Sequence, residues 1–201
     1  MTDQNAIRDD IAFLRSLAEE GRVGSTAGGS VLVAAGVIYA ACSLASWAAI
    51  AYHLNWDGYF PILWFGGTGF FLAVMTLIKR RLPRSSGGAR SAAVTWWASG
   101  WAILTIVISL MIMGARTNAW WIMAAVPSMI LAMYGACWFV AAVLARTPWL
   151  HAVAFAAFGA ALLNAWYVTD PATSYLIYAA DLLALLSLPG FILMRRSRPA
   201  A

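Results

Sequence analysis

The chain has 201 residues, of which 63% are hydrophobic and 10% charged, and its mean hydropathy is +0.76. These values lie far outside those of soluble domains, so they exclude a soluble enzyme or binding module as the main body of the chain. They predict an all-α integral membrane protein, in which six transmembrane helices form a compact bundle and a short amphipathic cytoplasmic helix precedes them.

Residues 1–28 are the predicted cytoplasmic amino-terminal segment, an amphipathic helix followed by a linker. Its apolar residues recur at helical spacing: Ile7, Ile11, Leu14 and Ala18. Residues 1–22 carry five acidic and three basic side chains, whereas helices that bind anionic membranes carry Lys and Arg on the polar face. The helix is therefore a candidate docking element for another polypeptide or for the basic loop 79–90, with an idle solvated stub as the alternative.

Six apolar runs follow, and each is long enough for one crossing of a bilayer, which takes about 20 residues. They make up a transmembrane domain at 29–194, and residues 195–201 form a basic cytoplasmic tail. The predicted spans lie at about 29–52, 60–78, 92–113, 119–145, 149–169 and 173–194. Because no cleavable signal peptide is evident, the first span is expected to act as its own insertion signal.

Basic residues set the predicted orientation, since short loops rich in Lys and Arg stay on the cytoplasmic side. Of the 13 basic residues, all but Arg116 fall before span one, between spans two and three or four and five, or after span six. The sequence thus predicts a multi-pass protein of the cell membrane, of the bacterial inner-membrane kind, with both termini in the cytoplasm. The net charge of +5 is explained by this topology. The expected partner is therefore the lipid bilayer, and nucleic-acid binding is not predicted.

Residues that could carry catalysis or bind a metal do not assemble into a motif. His53 and His151 are predicted at opposite membrane faces, and Cys42 and Cys137 lie in separate spans without C-x-x-C spacing. An activated nucleophile, a pair of acids or a phosphate-binding glycine loop is not evident either. The chain is therefore predicted not to be an enzyme and to have no metal and no cofactor.

One carboxylate, Asp181, interrupts the sixth span in the run Y178-A-A-D-L-L-A-L-L-S-L-P-G-F191. The predicted topology places several polar side chains from other spans in the same outer half of the bundle or at its outer rim. The candidate intramembrane polar site comprises Asp181, Asn164, Ser128, Tyr178 and Arg116.

Two prolines lie inside the predicted spans beyond the first turn. Pro127, directly before Ser128, is expected to free the carbonyl of Met123 from its helical bond. Pro189, which precedes Gly190, admits two interpretations: a helix break that builds a site or hinge, or a fraying end near the membrane boundary. The position near the boundary favours the second.

Asp181 also admits two interpretations. A neutral Asp181 could bond across to Asn164, Ser128 or Tyr178, a tie worth about 0.6 to 2 kcal/mol. That is less than the cost of placing Asp at a helix centre, about 2.5 to 3.5 kcal/mol. Acids inside membranes more often line ion or substrate pathways.

Two functions follow from these features. The first is a non-catalytic accessory or regulatory membrane component that docks a partner through its acidic amino-terminal helix; the partner is a cytoplasmic protein or a second copy of the chain. The second is a small proton- or cation-coupled transporter or channel that uses Asp181. A single acid without an intramembrane base offers few groups to line a transport pathway, which favours the first function.

The charge bias makes the topology testable by fusion of a reporter that is active only in the cytoplasm. We expect activity when the reporter follows Ala201 or lies within Ser85–Gly88, and none when it follows Asn55 or Thr117. Activity at Asn55 would contradict the orientation, and with it the depth assigned to Asp181.

Overall fold

The computed structural model of the chain describes residues 28–54, 58–81 and 88–196. The predicted amino-terminal helix, with Ile7, Ile11, Leu14 and Ala18, lies outside the described residues. The predicted basic tail is described as far as Arg196.

The described ranges consist of helices and short turns, and they contain no strand. Six segments are long and apolar enough to cross a membrane, which confirms the prediction of six such helices. The helices are α1 (Gly28–Ala51), α2 (Phe60–Arg81), α3 (Gly88–Thr117), α4 (Val126–Leu144), α5 (Trp149–Trp166), α6 (Pro171–Leu182) and α7 (Leu188–Arg196). A 3-10 turn (Trp120–Ala125) opens the fourth segment, and a π-helical turn (Leu183–Ser187) joins α6 to α7 in the sixth.

The loop between the second and third segments is shorter than the predicted 79–90. Helix α2 continues to Arg81, and α3 begins at Gly88. At its other end α3 runs on to Thr117, so Arg116 lies in its last turn and not in a loop. A basic residue is favoured there because the carboxyl end of a helix carries partial negative charge.

The start of the fourth segment also differs from the expectation. Pro127 is the second residue of α4, and the turn before it is 3-10 helical. There the Val126 N–H donates to the carbonyl of Met123. The carbonyl that was expected to be free is thus satisfied by the tighter turn, and Pro127 is accommodated because the first N–H groups of a helix have no intrahelical partner.

Neighbouring segments form two packed regions of the bundle. Helix α4 packs along α5 and also contacts α3, and one buried cluster there centres on Trp138, Leu150 and Ala154. The second cluster centres on Leu131, Tyr178 and Leu182 and joins α4 and α5 to the sixth segment.

Helix α1 and the sixth segment approach so closely that their backbones touch. A Cβ atom at Gly29 would lie 2.6 Å from the carbonyl oxygen of Gly190, and one at Gly190 would lie 2.7 Å from that of Gly29. Further along, a Cβ atom at Gly36 would lie 2.8 Å from the carbonyl oxygen of Leu182. Only glycine fits such distances, and close approach of this kind is how membrane helices gain packing energy. Gly190 therefore belongs to a packed contact, and the expectation of a fraying end is wrong.

Basic side chains and aromatic rings meet at one end of the bundle, here called the basic end, where α1 and α5 begin and α2, α4 and α7 finish. The Lys79 ammonium lies 5.5 Å from the ring centroid of Trp97, and the Arg196 guanidinium lies 5.3 Å from that of Trp149. Such cation–π pairs suit a membrane–water interface, where tryptophan and long basic side chains are both enriched.

Candidate functional site

Asp181 lies in the last turn of α6, ten residues after the helix begins at Pro171, which is about 15 Å along the axis. The amino-terminal end of α6 is well defined, because the Thr173 N–H donates to Asp170 Oδ1 at 3.2 Å. Hydrogen bonds from Thr173 lower the pKa of Asp170. This cap is therefore present at neutral pH and is lost as the pH falls through that lowered pKa.

The carboxyl group of Asp181 lies on the border between the packed and the outward-facing sides of the sixth segment. Tyr178 and Leu182 on one side of it are buried, whereas Leu183 and Ala184 are exposed. Asp181 itself is half-buried. Its Oδ2 atom is buried and has no hydrogen-bond partner among the described residues.

Asn164 is fully buried, and Ser174 supplies both of its hydrogen bonds. The Asn164 Nδ2 group donates to the Ser174 carbonyl at 3.2 Å, and Asn164 Oδ1 accepts from Ser174 Oγ at 2.8 Å. Both residues lie near the short turn between α5 and α6, so their side chains face each other across it. Asn164 was predicted to lie at a depth similar to that of Asp181, but its side chain is bonded to Ser174. Asn164 therefore ties α5 to α6.

The other predicted members of the site have separate surroundings. Tyr178 is 2% exposed, and its ring lies 6.3 Å from that of Trp64 on α2. Ser128 Oγ, in the first turn of α4, is buried and has no hydrogen-bond partner in the described ranges. Arg116 is exposed in the last turn of α3. Tyr178 and Asp181 lie on the same helix. Asn164 is hydrogen-bonded to Ser174, and Arg116 lies at the end of α3.

A helix irregularity begins two residues after Asp181. Directly after the π-helical turn, the Leu188 N–H donates five residues back, to the Leu183 carbonyl. Pro189 has no N–H, so it cannot donate to the carbonyl of Leu185, its usual acceptor four residues earlier. The buried Trp138 of α4 replaces it: its indole Nε1 donates to the Leu185 carbonyl at 2.8 Å. The sequence identified the proline but not this donor.

Polar side chains on α1 form a further set of ties that the sequence analysis missed. Ser43 Oγ donates to the Tyr175 carbonyl of α6 at 2.7 Å. Ser46 Oγ accepts from Trp64 Nε1 of α2 at 3.2 Å and donates to the Cys42 carbonyl at 3.0 Å. Both serines are fully buried. Their presence in an otherwise apolar span was the available signal, since a buried hydroxyl needs a partner.

A shallow groove of about 550 Å³ runs between α1 and α2, and its walls are apolar. Val37, Ile38 and Ala41 form one side, and Gly66 and Phe70 lie on the other. Such a lining suits an acyl chain or an apolar helix better than a polar solute, which needs a few precisely placed polar groups.

Residues of metal-ligand type are dispersed: within the described ranges, no three His, Cys, Asp or Glu side chains come together. His53 lies exposed just beyond α1, and His151 packs edge-on against Phe139, with 5.2 Å between ring centroids. Cys42 and Cys137 are buried free thiols on α1 and α4.

The six apolar segments and the polar ties between them fit a polytopic helical membrane protein. In comparisons with known proteins, no family model, no curated protein and no solved structure matches this chain.

The bond between Trp138 and Leu185 can be tested with a double-mutant cycle. Trp138→Phe leaves the Leu185 carbonyl buried without a donor, so we expect a loss of about 1 to 3 kcal/mol in unfolding free energy. Pro189→Ala restores a backbone N–H in its place, so the double variant should lose less than the sum of the two single variants. Denaturant unfolding in detergent measures all three, with the exposed Trp101→Phe as control. Additive losses would contradict the interpretation that the Trp138 indole takes the place of the missing backbone N–H of residue 189.

Proposed function

We propose that the chain is a non-catalytic accessory or regulatory component of a bacterial inner membrane, oriented with both termini in the cytoplasm. One observation carries the proposal: the fully buried amide of Asn164, a member of the candidate site, spends both of its side-chain hydrogen bonds on Ser174 and so joins two helices. Transport and catalysis instead require polar groups that converge on a solute or a reacting atom.

Other polar groups of the bundle are used in the same way, which supports the proposal. Ser43 joins α1 to α6, and Trp138 joins α4 to the π-helical turn. Arg116, the only basic member of the candidate site, lies exposed at a helix end. A bundle tied in this manner suits a fixed membrane platform for another component.

The acidic amino-terminal helix is the proposed docking element. It precedes α1, whose first residue Gly28 lies at the basic end of the bundle. The apolar positions Ile11 and Leu14 would pack on the partner, and the acidic face suits a basic surface. A cytoplasmic polypeptide is the proposed partner; the chain's own basic residues 79–90 and a second copy are the competing occupants.

Photo-crosslinking in native membranes tests this docking. We expect a crosslinker at Leu14 to join the chain to a distinct polypeptide, because the proposal places the apolar positions of the predicted helix against the partner. The same crosslinker at Ser16, on the opposite side of the predicted helix, serves as the control and should give little product. Ile11→Ser should abolish the product without affecting membrane insertion. Products confined to residues 79–90 of the same chain would contradict the proposal.

A second candidate, a proton- or cation-coupled transporter, is favoured by the unbonded and buried Oδ2 of Asp181. If the chain is such a transporter, we expect purified protein in liposomes to conduct protons or monovalent cations. Asp181→Asn should lose that flux, because an amide cannot cycle a proton. Asp170→Asn, which keeps a side chain able to cap α6, is the matched control and should retain it. Wild-type flux equal to that of empty liposomes would rule this candidate out.

A further inference from the structure

The outward-facing side of the sixth segment presents an acid between small and apolar residues. Ala180, Leu183 and Ala184 are exposed beside the half-buried Asp181. The two alanines are four residues apart, a spacing that allows another membrane helix to approach closely. The carboxyl therefore lies at the edge of a surface that a second helix can cover.

The carboxyl of Asp181 needs a hydrogen-bond or ion-pair partner, and the hydrocarbon core of the bilayer cannot provide one. Its Oδ2 is buried without a hydrogen-bond partner among the described residues, and a carboxyl in hydrocarbon is disfavoured unless it is paired. At about 15 Å from the start of α6, Asp181 is also too deep for contact with lipid headgroups. A partner must reach it from within the membrane.

Charge complementarity selects the kind of partner. An acid inside a membrane pairs best with a basic side chain at the same depth. Every Lys and Arg of this chain lies outside the six segments or in their terminal turns. A second copy of the chain therefore offers no base at the depth of Asp181, and the complementary residue must come from a different protein.

We propose that Asp181 is a docking residue for a membrane-spanning helix of another protein, which carries a Lys or Arg near mid-membrane and packs over Ala180 and Ala184. This inference rests on the proposed accessory function, and it specifies the chemistry of the partner. The ion pair forms where water is scarce, so it selects one partner helix and fixes its depth. The amino-terminal helix and Asp181 then contact the partner at two separate levels.

A model helix tests the pairing with the full chain. The protein, labelled with a donor fluorophore, is reconstituted in liposomes of zwitterionic lipid with an acceptor-labelled Leu/Ala transmembrane peptide that has one central Lys. Energy transfer should report association about tenfold tighter than for the same peptide with Leu in place of Lys. Moving the Lys two turns towards one end of the peptide should remove most of this preference.

Variants of the protein assign the preference to one carboxyl. Asp181→Leu should abolish it, Asp181→Asn should reduce it, and Asp170→Asn should leave it unchanged. Circular dichroism and thermal unfolding in detergent verify that each variant is folded, and Asp181→Asn keeps the test valid if the leucine variant does not fold. Equal binding of the Lys and Leu peptides, or a preference that persists in Asp181→Leu, would overturn the proposal.

The outcomes also separate this inference from the accessory function. If the peptide shows no preference while the Leu14 crosslink persists, Asp181 is not a docking residue and the accessory function stands. If the protein associates with itself through Asp181 in the absence of peptide, the residue serves self-association and the proposal fails. A retained peptide preference without any Leu14 crosslink supports docking at Asp181 and removes the amino-terminal helix from it.

Discussion

The constraint on which this bundle depends is that a backbone carbonyl inside a membrane must find its donor within the protein. The sixth segment meets this constraint at its most demanding point, the carbonyl of Leu185, because Pro189 has no N–H to offer. The indole of Trp138 fills the position at 2.8 Å. This bond fixes α4 against the π-helical turn, and one residue beyond the proline Gly190 brings the backbone of α7 against Gly29 of α1.

The sixth segment consequently organises much of the described bundle. Polar ties join it to α1 through Ser43, to α4 through Trp138 and to α5 through Asn164, and aromatic packing joins it to α2 through Trp64. In an apolar solvent, hydrophobic burial does not hold helices together, so close packing and a few hydrogen bonds carry the association. Each of the three polar ties occurs where a buried polar group would otherwise be unbonded.

Asp181 departs from this pattern, since it lies in the same segment as these satisfied groups but keeps an unbonded buried oxygen. Local departures of this kind are concentrated at functional sites, because a polar group that does nothing for the fold is costly to retain. The border position of Asp181, between buried Tyr178 and exposed Ala184, leaves its side chain half-buried at the outward-facing side of the segment. This position is what links the proposed accessory function to the proposed intramembrane partner.

The sequence by itself determined the six apolar helices and the missing N–H of Pro189 within the sixth, because span length and the lack of a proline N–H are local properties. Only the tertiary structure decided the partners: Ser174 for Asn164, Trp138 for Leu185, and Gly29 for Gly190. The physical reason is that a partner depends on how one helix is rotated and shifted against another. Spans that are apolar on every side carry no stripe that marks their packed face, so only depth could be estimated from the sequence, and depth did not identify Ser174 as the partner of Asn164.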